Sequence, residues 1–266
     1  MINSSINSSI KEIDFVIEEL NSMKKYPKDI FYIGDTRLLQ KRKVSIVGSR
    51  KPTPYTQQFT QQLSKKLSTN NICIVSGAAM GVDAIAHEAA GSDNTIAVAG
   101  TGLDIKYPII NKMLIEDIEK NGLMLSQFKE KTPSARYNFP IRNELVVALG
   151  EILIVTQADI KSGTMRSVEF ALKMGKQIYV LPHRLNESEG TNKLLKDKKA
   201  TAIYDIDKFI ENFVGCKEEI KHKDDFIEYC KKNPTYDEVV NLYPSKAFEY
   251  ELNGKIKIEN GLVFVA

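Results

Sequence analysis

The chain has no apolar run approaching the roughly 20 residues a helix needs to cross a bilayer, so no membrane is expected among its partners. Cysteine is scarce. Cys73, Cys216 and Cys230 lie far apart without Cys-x-x-Cys spacing, which argues against a disulfide framework or zinc site and for reduced thiols in a cytoplasmic protein. The three histidines, His87, His183 and His222, are too scattered for an obvious metal site or catalytic triad, and His87 reads as a packed residue of an Ala-rich helix. No G-x-x-x-x-G-K-[ST] occurs, which excludes a P-loop, and no G-x-G-x-x-G follows the first strand, which removes the dinucleotide fingerprint. Gly-x-Ser-x-Gly is absent too. No cofactor and no metal are therefore expected. The N-terminus, rich in Ser and Asn with Glu12, Asp14, Glu18 and Glu19, lacks the basic start and apolar stretch of a secretory signal. A strong charge of one sign is missing as well: the net charge is +3, so any nucleic-acid affinity must come from how charge is distributed.

What is present is a soluble, globular composition, 42% hydrophobic and 27% charged, in a chain of 266 residues that can hold one sizeable core and a small second domain. Short apolar runs alternate with amphipathic stretches from Lys43 to about Phe213. The pattern predicts strands at Val44–Val47, Ile72–Val75, Thr95–Ala99, Gly122–Ser126, Ile152–Thr156, Gln177–Leu181 and Ala202–Tyr204. Helices are expected at Tyr55–Ser68, Val82–Ala90, Lys112–Asn121, Asn143–Leu149, Thr164–Met174 and Asn192–Lys196. Continuous Val/Ile runs separated by helical crossovers point to an α/β fold, a Rossmann-like, doubly wound, mostly parallel sheet. Such sheets bind ligands outside the carboxyl ends of their strands. Four of those ends here are rich in small residues, which lets a ligand approach the backbone.

The first strand runs into Gly48-Ser49-Arg50, and Thr53-Pro54 precedes a helical run. A small-residue turn entering a helix leaves backbone N–H groups without intrahelical partners, which suits an anion, and Arg50 adds a planar fork for phosphate oxygens. Taken alone, the stretch reads equally well as a tight βα corner with a solvated arginine. A second constellation is Phe139-Pro140-Ile141-Arg142-Asn143, with Arg136 just upstream. The fixed φ of Pro140 places Arg142 and Asn143 near a helix N-terminus. Arginines beside the rings of Tyr137 and Phe139 suit a single strand of nucleic acid, charge meeting phosphates and π faces meeting bases. A mononucleotide pocket would use the same groups, and both readings stay open at this point. Asp83 opens a helix, where a carboxylate is favoured without any catalytic role.

Composition changes after Phe213. Residues 1–40 read as an N-terminal extension, 41–214 as the Rossmann-like domain, 215–224 as a polar linker and 225–266 as a small winged-helix-like domain. In the last, Thr235-x-x-Glu238 is a capping box and Asn260-Gly261 a hairpin turn. From Lys221 to Ala266 there are seven Lys and no Arg against eight Asp plus Glu. A tail so balanced suits a protein contact better than duplex DNA.

Six segments now stand in order: Val47–Arg50, Ser76–Asp83, Tyr107–Asn111, Phe139–Asn143, Ser162–Thr164 and Gly190–Asn192. With them the chain resembles the DNA-processing protein A family (DprA/Smf) from about Tyr26 to Phe213, and the tail is similar to the winged-helix-like domain of many members. The resemblance implies a protein that is not an enzyme. It would bind and protect incoming single-stranded DNA during natural transformation, load the RecA recombinase onto it, and form a homodimer through the extended Rossmann domain. By position, Gly48, Ser49 and Arg50 would hold a phosphate, with Ser76 and Gly77 lining the pocket. Arg142 and Asn143 would add DNA contacts, Phe139 would stack on a base, and Arg136 and Lys161 join them as basic residues beside the motifs. With about 40 residues before the first expected strand, the sterile-alpha-motif-like domain of some members is not expected in this stretch. Glu144 replaces the arginine common in the family, which is expected to remove a phosphate contact and add repulsion.

The competing reading is a nucleotide-cleaving enzyme like the lysine-decarboxylase-like (LOG) phosphoribohydrolases, which share a Rossmann-type core. Their Pro-Gly-Gly-x-Gly-Thr-x-x-Glu survives here only as Ser162-Gly163-Thr164, with Ser167 where the catalytic Glu belongs.

Overall fold

In the computed structural model residues 9–215 and 225–265 are described. Residues 1–8 of the expected extension, and Cys216, His222 and most of the expected linker, lie outside the described residues. The chain divides into two compact units, Met1–Ile210 and Glu211–Ala266.

The first unit is built on nine strands: β1 (Lys11–Glu12), β2 (Phe31–Gly34), β3 (Lys43–Val47), β4 (Cys73–Gly77), β5 (Thr95–Ala99), β6 (Leu123–Ser126), β7 (Ile152–Val155), β8 (Ile178–Val180) and β9 (Thr201–Ala202). Helices α1 (Pro54–Thr69), α2 (Val82–Ala90), α3 (Lys112–Asn121), α4 (Asn138–Leu149), α5 (Thr164–Lys173) and α6 (Glu189–Lys196) connect them, and α7 (Ile206–Val214) follows. The strand order is β1-β2-β6-β5-β4-β3-β7-β8-β9. From β6 to β9 across the sheet every pairing is parallel, whereas β2 lies antiparallel to both β6 and β1. The expected doubly wound, mostly parallel sheet is present.

Both faces are covered, which is why the strands read as unbroken apolar runs. Along β5, Ile96 and Val98 enter one core cluster with α4 and α5, while Ala97 and Ala99 enter another with Ile115 and Ile118 of α3. Successive side chains of a strand point to opposite faces, so the two clusters alternate residue by residue. Ile17, Leu20, Met23 and Ile30 also pack into the α4 side, and β2 extends the sheet edge. Lys43 of β3 is buried, and its Nζ pairs with Glu19 at 2.5 Å and donates to Leu39 O at 2.6 Å, tying the N-terminal segment to the central strand.

Two differences from the sequence expectation matter for function. Helix α4 begins at Asn138, five residues before the expected Asn143, because Pro140 sits in its first turn, where backbone N–H groups have no intrahelical acceptor and proline costs nothing. Arg142 therefore belongs to the body of the helix. Strands β1 and β2 went unanticipated: they are short, and β2 pairs with β6 some ninety residues downstream (Phe31 opposite Ser126), so no local period announces them.

The second unit holds α8 (Asp225–Cys230), α9 (Tyr236–Leu242), α10 (Pro244–Leu252) and the hairpin β10 (Ile256–Glu259) and β11 (Leu262–Val265). Phe226, Cys230, Val239, Ala247, Ile256 and Val263 form its core. Thr235 and Glu238 close the anticipated capping box, and Asn260 and Gly261 take the positive φ values, 51° and 77°, of a two-residue hairpin turn.

Candidate functional site

In the first unit the chain builds β3 to β6 outward in one direction and then returns to place β7 on the other side of β3. At such a reversal the loops leaving the two neighbouring strands part from each other and open a crevice at the carboxyl edge. A cleft of about 490 Å³ lies there. The turn after β3 supplies Gly48, Ser49 and Arg50. Gly77 comes from the end of β4 and Asp83 from the start of α2, while Phe139, Arg142 and Asn143 come from α4 with Arg136 just before it. The far wall is the loop after β7 and the start of α5, with Ser162, Gly163, Thr164, Arg166 and Ser167.

Of the ten residues singled out in the sequence, eight line this one cleft, although they come from segments nearly a hundred residues apart. The other two do not. Ser76 is fully buried beneath it, its hydroxyl donating to Ile46 O at 2.6 Å. Lys161 is exposed on the loop outside the lining. Glu144 is not a lining residue either; its Oε1 accepts the backbone N–H of Lys24 at 3.3 Å, so the repulsion expected from it does not fall in the cleft.

The Gly48-Ser49-Arg50 turn is held from below. Ser49 O accepts from the Val82 N–H at 3.1 Å, and Gly48 O accepts from the Thr164 hydroxyl at 3.0 Å. Gly81 makes this seat possible: its φ is +80°, and a Cβ there would come within 2.7 Å of the Arg50 backbone. Any other residue would push the turn away and strain the chain. The Arg50 side chain is exposed and lies over Phe139, its guanidinium carbon 5.4 Å from the ring centre. Tyr107 approaches the same ring, centroids 5.9 Å apart.

The floor is electrostatically loaded. Arg142 is 5% exposed, and its Nη1 donates to Val98 O at 2.8 Å and its Nε to Asn143 Oδ1 at 3.1 Å. Burial lowers its pKa, opposed by the nearby Asp83 carboxylate. Asp83 is buried as well, and burial raises its pKa, opposed chiefly by Arg142. Between them sits Gly77, where a Cβ would overlap the guanidinium and approach Asp83 Oδ2 to 2.5 Å. Arg142 is thus an anchored charge under the cleft, and Arg50 and Arg136 are exposed charges in its lining. Asp83, Arg166 and the α5 residues escaped the sequence-based choice. The signal that could have found them was the switch in strand order, which only the fold reveals.

His87 steadies this floor from behind. Its Nε2 lies 2.8 Å from Gly77 O, which can only accept, so Nε2 carries a proton, and its Nδ1 lies 2.6 Å from the Thr95 hydroxyl, which also reaches Ile74 O at 2.9 Å. Burial pulls its pKa down to about 4. The folded protein then refuses a proton that the unfolded chain accepts near pH 6.5, so stability is complete above pH 6.5 and falls as pH drops toward 4, by about 3 kcal/mol. Urea denaturation at pH 7 and pH 4.5 should show this acid loss, and His87→Gln should shrink it. An unchanged pH dependence would exclude the assignment.

Residues 11–214 match the family described as DNA recombination-mediator protein A. The chain is similar to the DNA processing protein DprA of Bacillus subtilis (34% identity, covering 72% of this chain and 66% of that one) and to protein Smf of Synechocystis (37% identity, covering 59% and 41%). Against these and the Streptococcus pneumoniae protein, the chain spans 41% to 68% of its relatives' lengths. Among solved structures, it superposes on DNA processing protein A from Helicobacter pylori, studied for its single-stranded DNA binding mode, with a TM-score of 0.76 and 41% identity over 78% of this chain and 97% of that one. The X-ray structure of DprA from Streptococcus pneumoniae gives a TM-score of 0.68 and 31% identity over 74% of this chain and 71% of that one.

Proposed function

Because the chain belongs to the DNA recombination-mediator protein A family, we propose that its cleft at the β3/β7 reversal binds single-stranded DNA. The observation that carries this is the convergence of Arg50, Arg136 and Arg142 with a half-buried ring, Phe139, in one crevice at the carboxyl edge of the sheet. Exposed Arg50 and Arg136 would meet phosphates, and Phe139 with Tyr107 would meet an unstacked base. Unpaired strands offer both groups together, whereas a duplex hides its base faces. The related Helicobacter pylori protein, with its studied single-strand binding mode, supports the reading.

The wider role follows from family and charge. The protein would guard incoming single strands, load RecA onto them and work as a homodimer in the cytoplasm, without catalysing a reaction. The second unit, winged-helix-like in its three helices and hairpin, would serve a protein contact, since its acidic residues slightly outnumber its lysines.

Fluorescence anisotropy with a labelled oligothymidylate and the matching duplex tests the reading. The single strand should bind more tightly. Its affinity should fall about 20-fold between roughly 50 and 200 mM salt if about three phosphates are neutralised. Equal affinity for duplex, or no salt dependence, would count against it.

A further inference from the structure

The second unit holds apolar surface that its own core does not use. In α10, Ala247 is buried and the Tyr250 ring packs edge-on against Phe226, centroids 4.9 Å apart, so these positions face inward. A helix advances about 100° per residue. Phe248 and Leu252, one turn apart, therefore sit in the middle of the opposite face, and they are 68% and 77% exposed. Single exposed apolar side chains are ordinary, but two large ones sharing a turn form a patch. By the same periodicity the exposed carboxylates of Glu249 and Glu251 flank the pair, one on each side. Lys246 projects on the Tyr250 side of the helix instead.

The unit is nearly neutral as a whole, yet its charges are segregated. Helices α9 and α10 carry Asp237, Glu238, Glu249 and Glu251 against Lys246 alone. The lysines of the hairpin are engaged locally: Lys255, just before β10, lies over the Tyr250 ring at 4.7 Å, and Lys257 pairs with Glu259 at 2.9 Å. A helix that enters a duplex groove needs cations toward the phosphates, and this face offers glutamates.

We propose that the outward face of α10 is a docking surface for a basic amphipathic helix of a partner protein. The apolar stripe of that helix would cover Phe248 and Leu252, and its lysines or arginines would meet Glu249 and Glu251. Burial of the aromatic anchor supplies affinity, and the flanking charges select the partner and set its orientation. Docking here rests on reading the second unit as a protein contact. It is independent of the cleft, to whose lining none of these residues contributes.

Labelled peptides of about 18 residues test the surface on the full chain by anisotropy. One combines Leu and Lys with its leucines at helical spacing, a second scrambles that order, and a third replaces every Lys by Glu. The first should bind at least about tenfold more tightly than the other two. Phe248→Ala combined with Leu252→Ala should lose about tenfold for that peptide. Glu249→Lys combined with Glu251→Lys should reverse the preference toward the Leu/Glu peptide. All four side chains are exposed, so melting temperature and oligothymidylate binding should match wild type in both double variants. Equal affinity for the scrambled peptide, or full affinity in either double variant, overturns the surface. Wild-type self-association that the Phe248/Leu252 variant abolishes assigns the face to a second copy and overturns the basic partner. Duplex DNA that displaces the peptide overturns the protein-contact reading as well. A wild type that ignores the single strand overturns the cleft reading alone, with the peptide titrations still deciding α10.

Discussion

Arg50→Ala should weaken single-strand binding by about 2 kcal/mol, roughly 30-fold, the worth of one charge-assisted hydrogen bond to phosphate. Its melting temperature should stay within about a degree of wild type, since the side chain is exposed, lying over the Phe139 ring with its attraction to Asp83 offset by repulsion from Arg142. Removing the guanidinium from that ring frees a π face, so part of the loss in charge is offset by easier stacking. Arg50→Lys should recover only some of the affinity, because an ammonium keeps the charge but not the planar fork. Anisotropy titrations of the three proteins beside their thermal melts make the comparison. An Arg50→Ala protein that binds normally would move the phosphate site elsewhere.

Arg142→Ala should behave in the opposite way, losing stability first and binding as a consequence. Its guanidinium is buried and hydrogen-bonded to Val98 O and Asn143 Oδ1. Truncation leaves a cavity, an unpaired carbonyl and the buried Asp83 without its principal counter-charge, a loss of about 3 kcal/mol. The pH dependence gives this origin away. Asp83 already has a raised pKa in the folded state through burial, and losing Arg142 raises it further. A carboxylate whose folded pKa lies above its unfolded one costs stability as pH rises through that value. The deficit of Arg142→Ala should therefore be larger at pH 7 than at pH 5, and adding Asp83→Asn should remove that difference. Denaturant unfolding of the single and double variants at both pH values tests it. A deficit that does not change with pH would mean the two charges are not coupled.

These two arginines looked alike in the sequence, each beside a small or aromatic neighbour near a helix start. Their expected behaviour differs only because α4 begins at Asn138 and carries Arg142 inward, while the turn after β3 leaves Arg50 at the surface. Pro140 invites the reading of a helix boundary at itself. A first turn tolerates proline as readily as a boundary does, so local chemistry could not choose between the two.

By itself the sequence determined the parallel sheet, because strands buried on both faces must be apolar throughout and helical crossovers must separate them. It also determined the hairpin at Asn260-Gly261 and the capping box at Thr235, where the backbone demands particular residues within a few positions. That eight of the ten residues singled out in the sequence line one cleft has a related cause: small residues and arginines at strand ends mark where a ligand can approach. Tertiary structure alone decided the rest. Which strand ends lie side by side depends on the reversal between β3 and β7, and the antiparallel edge made by β1 and β2 depends on pairing with distant β6. The fates of Ser76, Lys161 and Arg142, buried beneath, outside, or in the floor of the cleft, were set by packing. Local propensity acts over a few residues, whereas burial and charge pairing at this site join segments nearly a hundred residues apart, and no short window of sequence contains them.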